Sequence, residues 1–98
     1  MPVFHTLFFE YASDFISAIP DADKAKVMAS IKIMETDIAA VKTKTLRRET
    51  KELVVKKYRL LFFIKGNTIY IVSGFVKKTQ KTPAYEIERA EGAYKMMQ

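Results

Sequence analysis

The chain has 98 residues, of which 49% are hydrophobic and 12% aromatic, and this composition predicts one folded domain over residues 1–98. It has no cysteine, which excludes disulfides, cysteine metal ligands and thiol catalysis. Seventeen Lys and Arg against eleven Asp and Glu give a net charge of +6, which favours a polyanionic partner such as RNA, DNA, an anionic membrane or an acidic protein. With neither a membrane-length apolar run nor a secretion signal, we expect a cytoplasmic protein without a membrane segment.

The first half of the chain predicts a strand followed by two helices. Residues 3–9 are apolar and aromatic, which predicts a largely buried strand. This strand contains His5, the only histidine, which we interpret as structural; a site built from several histidines is excluded. Helices are predicted over residues 11–19 and from 21 to about 41, with Pro20 between them. We expect these two helices to form a helical hairpin over the core.

The second half predicts a sheet followed by a last helix. Residues 43–51 are polar and basic and are interpreted as a connector, in which Arg47 and Arg48 are candidate contacts for a polyanion. Strands are predicted over residues 53–55, 58–64 and 68–76, and a helix over 83–97 with Thr82 as its N-cap. The order predicts an α+β fold, in which an N-terminal strand and helical hairpin pack on a small antiparallel sheet beside a C-terminal helix.

Positive charge is concentrated in this second half. Between Lys42 and Lys81 there are twelve Lys or Arg residues, opposed only by Glu49 and Glu52. Three of these lysines fall within residues 77–81, directly after an apolar strand and before a helix N-terminus. Such a junction presents cations and free backbone donors to an anionic ligand, although a solvated basic loop is the alternative interpretation.

The hairpin turn predicts which side chains share a face of the sheet. If Gly66-Asn67 is a two-residue turn, Arg59 pairs with Gly74 and shares its face with Lys57 and Lys78. Gly74 would then leave open backbone beside Arg59 for a ligand to approach. An arginine within an apolar strand is costly unless it reaches water or an anion, so the register predicts an anion site at Arg59.

Three stretches carry a resemblance to a known family: residues 58–63 (YRLLFF), residues 74–83 (GFVKKTQKTP) and the pair Glu86-Ile87. In these stretches the chain resembles the phage-derived HigB-like branch of the RelE toxin superfamily. The resemblance implies the toxin of a type II toxin–antitoxin pair. It further implies cleavage of messenger RNA on the ribosome without metal or small-molecule cofactor, and neutralisation by a cognate helix-turn-helix antitoxin.

The chemistry of RNA cleavage without a metal suggests roles for the side chains of this cluster. The candidate catalytic residues are Arg59 as a phosphate clamp, with Lys78, Lys81 and Tyr85 as candidates for proton transfer. The candidate RNA-binding residues are Lys57, Lys77, Gln80, Arg47 and Arg48, and no metal ligands are expected.

Two positions depart from the family pattern. Val54 follows Glu52-Leu53 where the family often has arginine, and Ser73 precedes Gly74-Phe75 where histidine or asparagine is common. The alternative is therefore a catalytically degenerate protein that binds an antitoxin or RNA without cleaving it.

Overall fold

The computed structural model describes residues 3–78 and 81–97. In chain order the elements are β1 (His5–Phe8), α1 (Glu10–Ala18), α2 (Asp21–Thr36), a 3₁₀ turn (Ile38–Ala40), β2 (Thr43–Arg47), β3 (Thr50–Val55), β4 (Tyr58–Lys65), β5 (Thr68–Val76) and α3 (Ala84–Met96). Of the helices in these two ranges, none is both long enough and apolar enough to cross a membrane.

The described strands form one five-stranded sheet with the order β1-β5-β4-β3-β2. Strands β2 to β5 pair antiparallel with their neighbours, whereas β1 pairs parallel with β5. A parallel pair needs a long crossover, which the chain supplies through the intervening helices and the β2–β4 strands. The predicted α+β class is confirmed, and β1 joins the otherwise antiparallel sheet as a parallel strand at its edge.

Three predictions for individual elements are wrong. Strand β1 is an edge strand with exposed side chains, including Leu7 at 54% exposure, because only β5 pairs with it. The predicted connector 43–51 contains strand β2, since its backbone pairs with β3 even though most of its side chains are exposed. Helix α2 ends at Thr36, and the carboxylate of Asp37 then accepts a hydrogen bond of 3.1 Å from the amide of Ala39.

The sheet is covered on both faces by helices. One core lies between the sheet and α1–α2, with Ile16, Val27 and Met34 packed against Leu60 and Phe62. The second core lies between the sheet and α3, where Ala90 and Tyr94 meet a smaller apolar group: Leu61, Phe63 and Val72. As predicted, β4 and β5 are central strands with both faces covered.

The β4–β5 hairpin contains a bulge that changes its register. The two-residue turn is confirmed: Lys65 pairs with Thr68, and Gly66 has a φ of +64°, which glycine adopts without strain. Phe62 pairs with Ile71, but Leu61 pairs with Ser73. The register therefore shifts by one residue between these two pairs, and β5 carries one extra residue there. Residues beyond the bulge therefore pair differently from a regular hairpin.

A polar cluster of Asp23, Lys56 and Tyr58 connects α2 to the sheet. Asp23 accepts a hydrogen bond of 2.5 Å from the Tyr58 hydroxyl, and Lys56 Nζ lies 3.1 Å from the same carboxylate. The Tyr58 hydrogen bond, with that from Lys56, lowers the pKa of Asp23 below its usual 3.8. In return, Asp23 raises the pKa of Tyr58 above 10.0 and that of Lys56 above 10.5.

Candidate active site

The centre of the candidate site is a buried carboxylate, that of Glu52. Its residue exposure is 1%, and it lies in β3 opposite Leu61, on the face of the sheet that α3 covers. Its Oε1 atom lies 3.2 Å from Arg59 Nε and 3.7 Å from Lys77 Nζ. Its Oε2 atom accepts a hydrogen bond from the Thr82 hydroxyl. A buried charge is stable only with such compensation, and here two cations and a hydroxyl provide it.

Arg59 is held in place by this carboxylate. Its Nη1 also donates hydrogen bonds of 2.8 Å to the carbonyls of Lys56 and Tyr58, and the side chain keeps 18% exposure. The predicted pairing of Arg59 with Gly74 is wrong: because of the bulge, Arg59 pairs with Phe75 and Gly74 with Leu60. Arg59 therefore lies near another cation, Lys77, but its partner on the neighbouring strand is not the one expected.

Gly74 provides space for a helix rather than for a ligand. A Cβ atom built on Gly74 would lie 2.4 Å from Cδ2 of Phe15 in α1. The glycine therefore faces α1, on the opposite side of the sheet from Glu52 and Arg59. The interpretation of Gly74 as open backbone beside Arg59 is wrong.

A cleft of about 390 Å³ lies at the end of β5. Its lining combines lysines with apolar and aromatic side chains: Phe75, Val76, Lys77, Lys78, Lys81, Pro83 and Tyr85. Lys78 and Lys81 are exposed, and Tyr85 is 63% exposed on the first turn of α3. Four of the predicted site residues thus line one cleft, and Arg59 lies beside it as the strand partner of Phe75.

The segment before α3 is anchored to the sheet and not to the helix. Thr82 was predicted to cap α3, but the N-cap is Pro83 without a side-chain cap, and the Thr82 hydroxyl donates to Glu52 instead. Lys77 Nζ also lies 3.3 Å from Thr82 Oγ1. Lys77, which precedes Lys78, and Thr82, which follows Lys81, therefore both contact the Glu52 carboxylate.

Three of the other predicted binding residues lie outside the cleft lining, and the fourth lies outside the described residues. Arg47 forms an ion pair of 2.9 Å with Glu91 of α3, and Arg48 lines a separate cleft with Tyr94 and Lys95. Lys57 lies in the β3–β4 turn, where its carbonyl accepts from the amide of Lys77 at 2.8 Å. The predicted contact at Gln80 lies outside the described residues.

His5 contributes nothing to the cleft. It is exposed on β1 and pairs with Thr68 at the start of β5, whereas the cleft lies at the other end of that strand. Within residues 3–78 and 81–97, no group of three or more His, Cys, Asp or Glu side chains is arranged to hold a metal ion.

The two positions that depart from the family pattern have different surroundings. Val54 pairs with Arg59 across β3 and β4, so an arginine there would lie directly beside the site. Ser73 is buried and donates a hydrogen bond of 3.1 Å to Glu86, which is itself 5% exposed in α3. The difference at Ser73 therefore affects how α3 is anchored, whereas the difference at Val54 affects the charge of the site.

Sequence reasoning missed Glu52 as a site residue. In the sequence it appears as one of two acids opposing a basic stretch and as part of a family pattern, without a role of its own. Its position between Lys51 and Leu53 shows no periodic signal, and its partners come from residues 7 to 30 positions away. The available signal was an acid on the inward side of an apolar strand, which requires a charged partner.

The fold has clear relatives among solved structures. The toxin–antitoxin complex RelBE2 from Mycobacterium tuberculosis contains a chain that is 23% identical, with a TM-score of 0.67, covering 79% of this chain and 94% of that one. For the isolated E. coli RelE toxin the identity is 12%, the TM-score 0.63 and the coverage 88% and 97%. For the RelE–RelB complex from Pyrococcus horikoshii they are 11%, 0.69, and 76% and 96%. The chain therefore has the RelE fold.

The sequence also places the chain in a protein family. Residues 14–95 match the family described as phage derived protein Gp49-like, and the chain belongs to this family. Among curated proteins, no sequence match is found. The predicted membership of a phage-derived family is thus confirmed, and the fold is the RelE fold that the resemblance implied.

Proposed function

We propose that this protein is the toxin of a type II toxin–antitoxin pair and that it cleaves messenger RNA on the ribosome without a metal cofactor. The observation that carries the proposal is the cleft at the end of β5, where Lys77, Lys78, Lys81 and Tyr85 meet next to Arg59. Such a group of cations around a partly aromatic lining suits a single-stranded nucleic acid.

The proposed reaction divides into charge stabilisation and proton transfer. The 2′-oxygen attacks the adjacent phosphorus as it loses its proton, the bond from phosphorus to the 5′-oxygen breaks, and that oxygen receives a proton. Arg59 and Lys77 would stabilise the phosphate charge, which guanidinium and ammonium groups can do without changing protonation state. The groups available for the two proton transfers are Lys78, Lys81 and Tyr85, all exposed to the cleft.

In the proposed reaction the ribosome orients the RNA. The cleft is open, and Lys78, Lys81 and Tyr85 in its lining are exposed. An external scaffold that fixes the RNA in an in-line geometry can supply a large part of the rate. This proposal places the protein in the cytoplasm, where translation occurs.

An antitoxin with a helix-turn-helix domain is the proposed partner. Support for an antitoxin partner comes from solved relatives that are complexes: RelBE2 of Mycobacterium tuberculosis and RelBE of E. coli, both toxin–antitoxin complexes, and the RelE–RelB complex of Pyrococcus horikoshii. The net charge of +6 would favour binding of an acidic segment of such a partner.

A second candidate is a degenerate toxin that binds its antitoxin or RNA without cleaving RNA. The observation favouring it is Val54, which puts an apolar side chain directly across from Arg59 where the family often has a second cation. With Arg59 also engaged by Glu52, the cationic charge available to a phosphate is reduced.

Induced expression separates the two candidates. Wild type and Arg59→Ala are expressed with and without a candidate antitoxin gene, and messenger RNA ends are mapped by primer extension. Lys32→Ala, which removes an exposed charge on α2, is the matched control. A toxin predicts growth arrest and new transcript ends for wild type and Lys32→Ala, both suppressed by the antitoxin and absent in Arg59→Ala. Arrest with intact transcripts would refute the nuclease, and the absence of arrest would favour the degenerate protein.

A further inference from the structure

Glu52 has no role in the proposed chemistry, yet three separate segments converge on it. Arg59 comes from β4, Lys77 follows β5 and Thr82 precedes α3. All three contacts reach a single carboxylate that is 1% exposed. Lys77 Nζ also lies 3.3 Å from Thr82 Oγ1, so two of the three partners of Glu52 contact each other.

We propose that Glu52 is the positioning residue of this site: its carboxylate fixes Arg59 and both ends of the segment that carries Lys78 and Lys81. Lys78 directly follows Lys77, and Lys81 directly precedes Thr82, so each is one residue from an anchored position. Loss of the carboxylate would remove the contact that orients Arg59 Nε and the contacts of both anchors together. The effect on RNA cleavage rests on the proposed function, whereas the anchoring of the segment does not.

The alternative is that Glu52 is only a buried ion pair that stabilises the fold. The substitution Glu52→Gln separates the two because it keeps the shape of the side chain and removes its charge. The site then gains one unit of positive charge, so RNA binding is unchanged or tighter. Misplaced cations lower the cleavage rate at saturation about 10- to 100-fold, because small errors in position strongly reduce the rate. A purely structural role would lower binding and cleavage together, in proportion to the folded fraction.

The first experiment compares binding with cleavage. Affinity for a labelled single-stranded RNA oligonucleotide is measured by fluorescence anisotropy, and cleavage by single-turnover assays on programmed ribosomes at saturating protein. Glu35→Gln is the control, since it removes a partly buried, ion-paired carboxylate from α2 on the other side of the sheet. We expect Glu52→Gln to bind as well as wild type but to cleave more slowly, and Glu35→Gln to bind and cleave like wild type. Unchanged cleavage in Glu52→Gln would overturn the proposal.

The hydroxyl of Thr82 provides a milder test of the same anchor. Thr82→Val removes the donor to Glu52 and keeps the shape, and Thr82→Ser keeps the donor. We expect Thr82→Val to reduce cleavage and Thr82→Ser to restore most of it. These variants also replace Glu52→Gln if that protein does not fold. Equal cleavage by Thr82→Val and wild type would contradict the anchor at this end.

Limited trypsin digestion tests the anchoring without any assay of function. At a temperature where circular dichroism shows all variants folded, we expect faster cutting after Lys77, Lys78 and Lys81 in Glu52→Gln than in wild type or Glu35→Gln. If wild type does not cleave RNA, the proposed function fails while this comparison still decides the anchoring. Equal cutting rates in Glu52→Gln and wild type would refute it.

Discussion

Gly74 lies directly beneath the ring of Phe15. A Cβ atom at this position would be 2.4 Å from Phe15 Cδ2 and 2.9 Å from two further ring atoms. Real side chains do not approach this closely, so any residue with a Cβ must displace the ring or the backbone. Since Phe15 also packs edge-on against Tyr58 at 5.9 Å, the ring has limited room to move.

Gly74→Ala is therefore expected to destabilise the protein by about 1–3 kcal/mol, the usual cost of overpacking a core. The control is Gly92→Ala in the exposed part of α3, where a Cβ meets nothing within 4 Å. There we expect a stabilisation of about 0.5–1 kcal/mol from higher helix propensity. Urea unfolding of both variants measures the difference. Adding Phe15→Leu to Gly74→Ala should recover part of the loss, and equal effects of the two glycine substitutions would contradict the contact.

Arg59→Ala should weaken RNA binding in a salt-dependent way. Removing one charged hydrogen bond to phosphate lowers affinity at low salt about tenfold. The slope of log affinity against log salt should decrease in magnitude by about 0.7, the value for one contact to a single strand. Fluorescence anisotropy across a salt series measures both, with Lys32→Ala as the charge-matched control. A slope that is the same for Arg59→Ala and wild type would show that Arg59 does not contact phosphate.

Val54→Arg should increase the affinity of the site for RNA. The new side chain would lie opposite Arg59 on the neighbouring strand and near the Glu52 carboxylate. We expect a salt slope steeper by about 0.7, and Val54→Gln, of similar polarity without charge, should leave the slope unchanged. If Val54→Arg also raises ribosomal cleavage, then the valine limits activity. No change in either quantity would show that position 54 does not reach the RNA.

Stability should depend on pH through Asp23 and Tyr58. The pKa of Asp23 is lowered in the folded protein, so its contribution is complete above its usual 3.8 and is lost as the pH falls through the folded value. The pKa of Tyr58 is raised, so its contribution is complete below 10.0 and is lost as the pH rises through the folded value. The difference in Tm between wild type and Tyr58→Phe should be constant between these limits and shrink outside them. A difference that is independent of pH would contradict the hydrogen bond.

Ser73→Ala should destabilise the anchoring of α3. The substitution removes a donor from the buried Glu86 carboxylate, which keeps only its contact of 3.4 Å with Arg89 among the described partners. Loss of a hydrogen bond to a buried charged group costs about 1–3 kcal/mol. Ser17→Ala on the exposed side of α1 is the control and should change stability by less than about 0.5 kcal/mol. Chemical denaturation of both variants provides the comparison.

The sequence by itself determined the order of most elements, the Gly66-Asn67 turn and the basic segment after β5. These features follow from local rules: apolar periodicity, turn chemistry and charge along the chain. The same local information placed Lys77, Lys78, Lys81 and Tyr85 together, because they are neighbours in sequence at the junction of a strand and a helix. The family signature lies in the same stretch.

Tertiary structure alone decided the register beyond the bulge and the partners of Arg59. A bulge in β5 depends on packing across two strands and cannot be read from either strand. It moves Gly74 under Phe15 and brings Arg59 opposite Phe75. The role of Glu52 likewise emerges only when segments far apart in the chain meet, because a buried charge is defined by its partners and not by its neighbours in sequence.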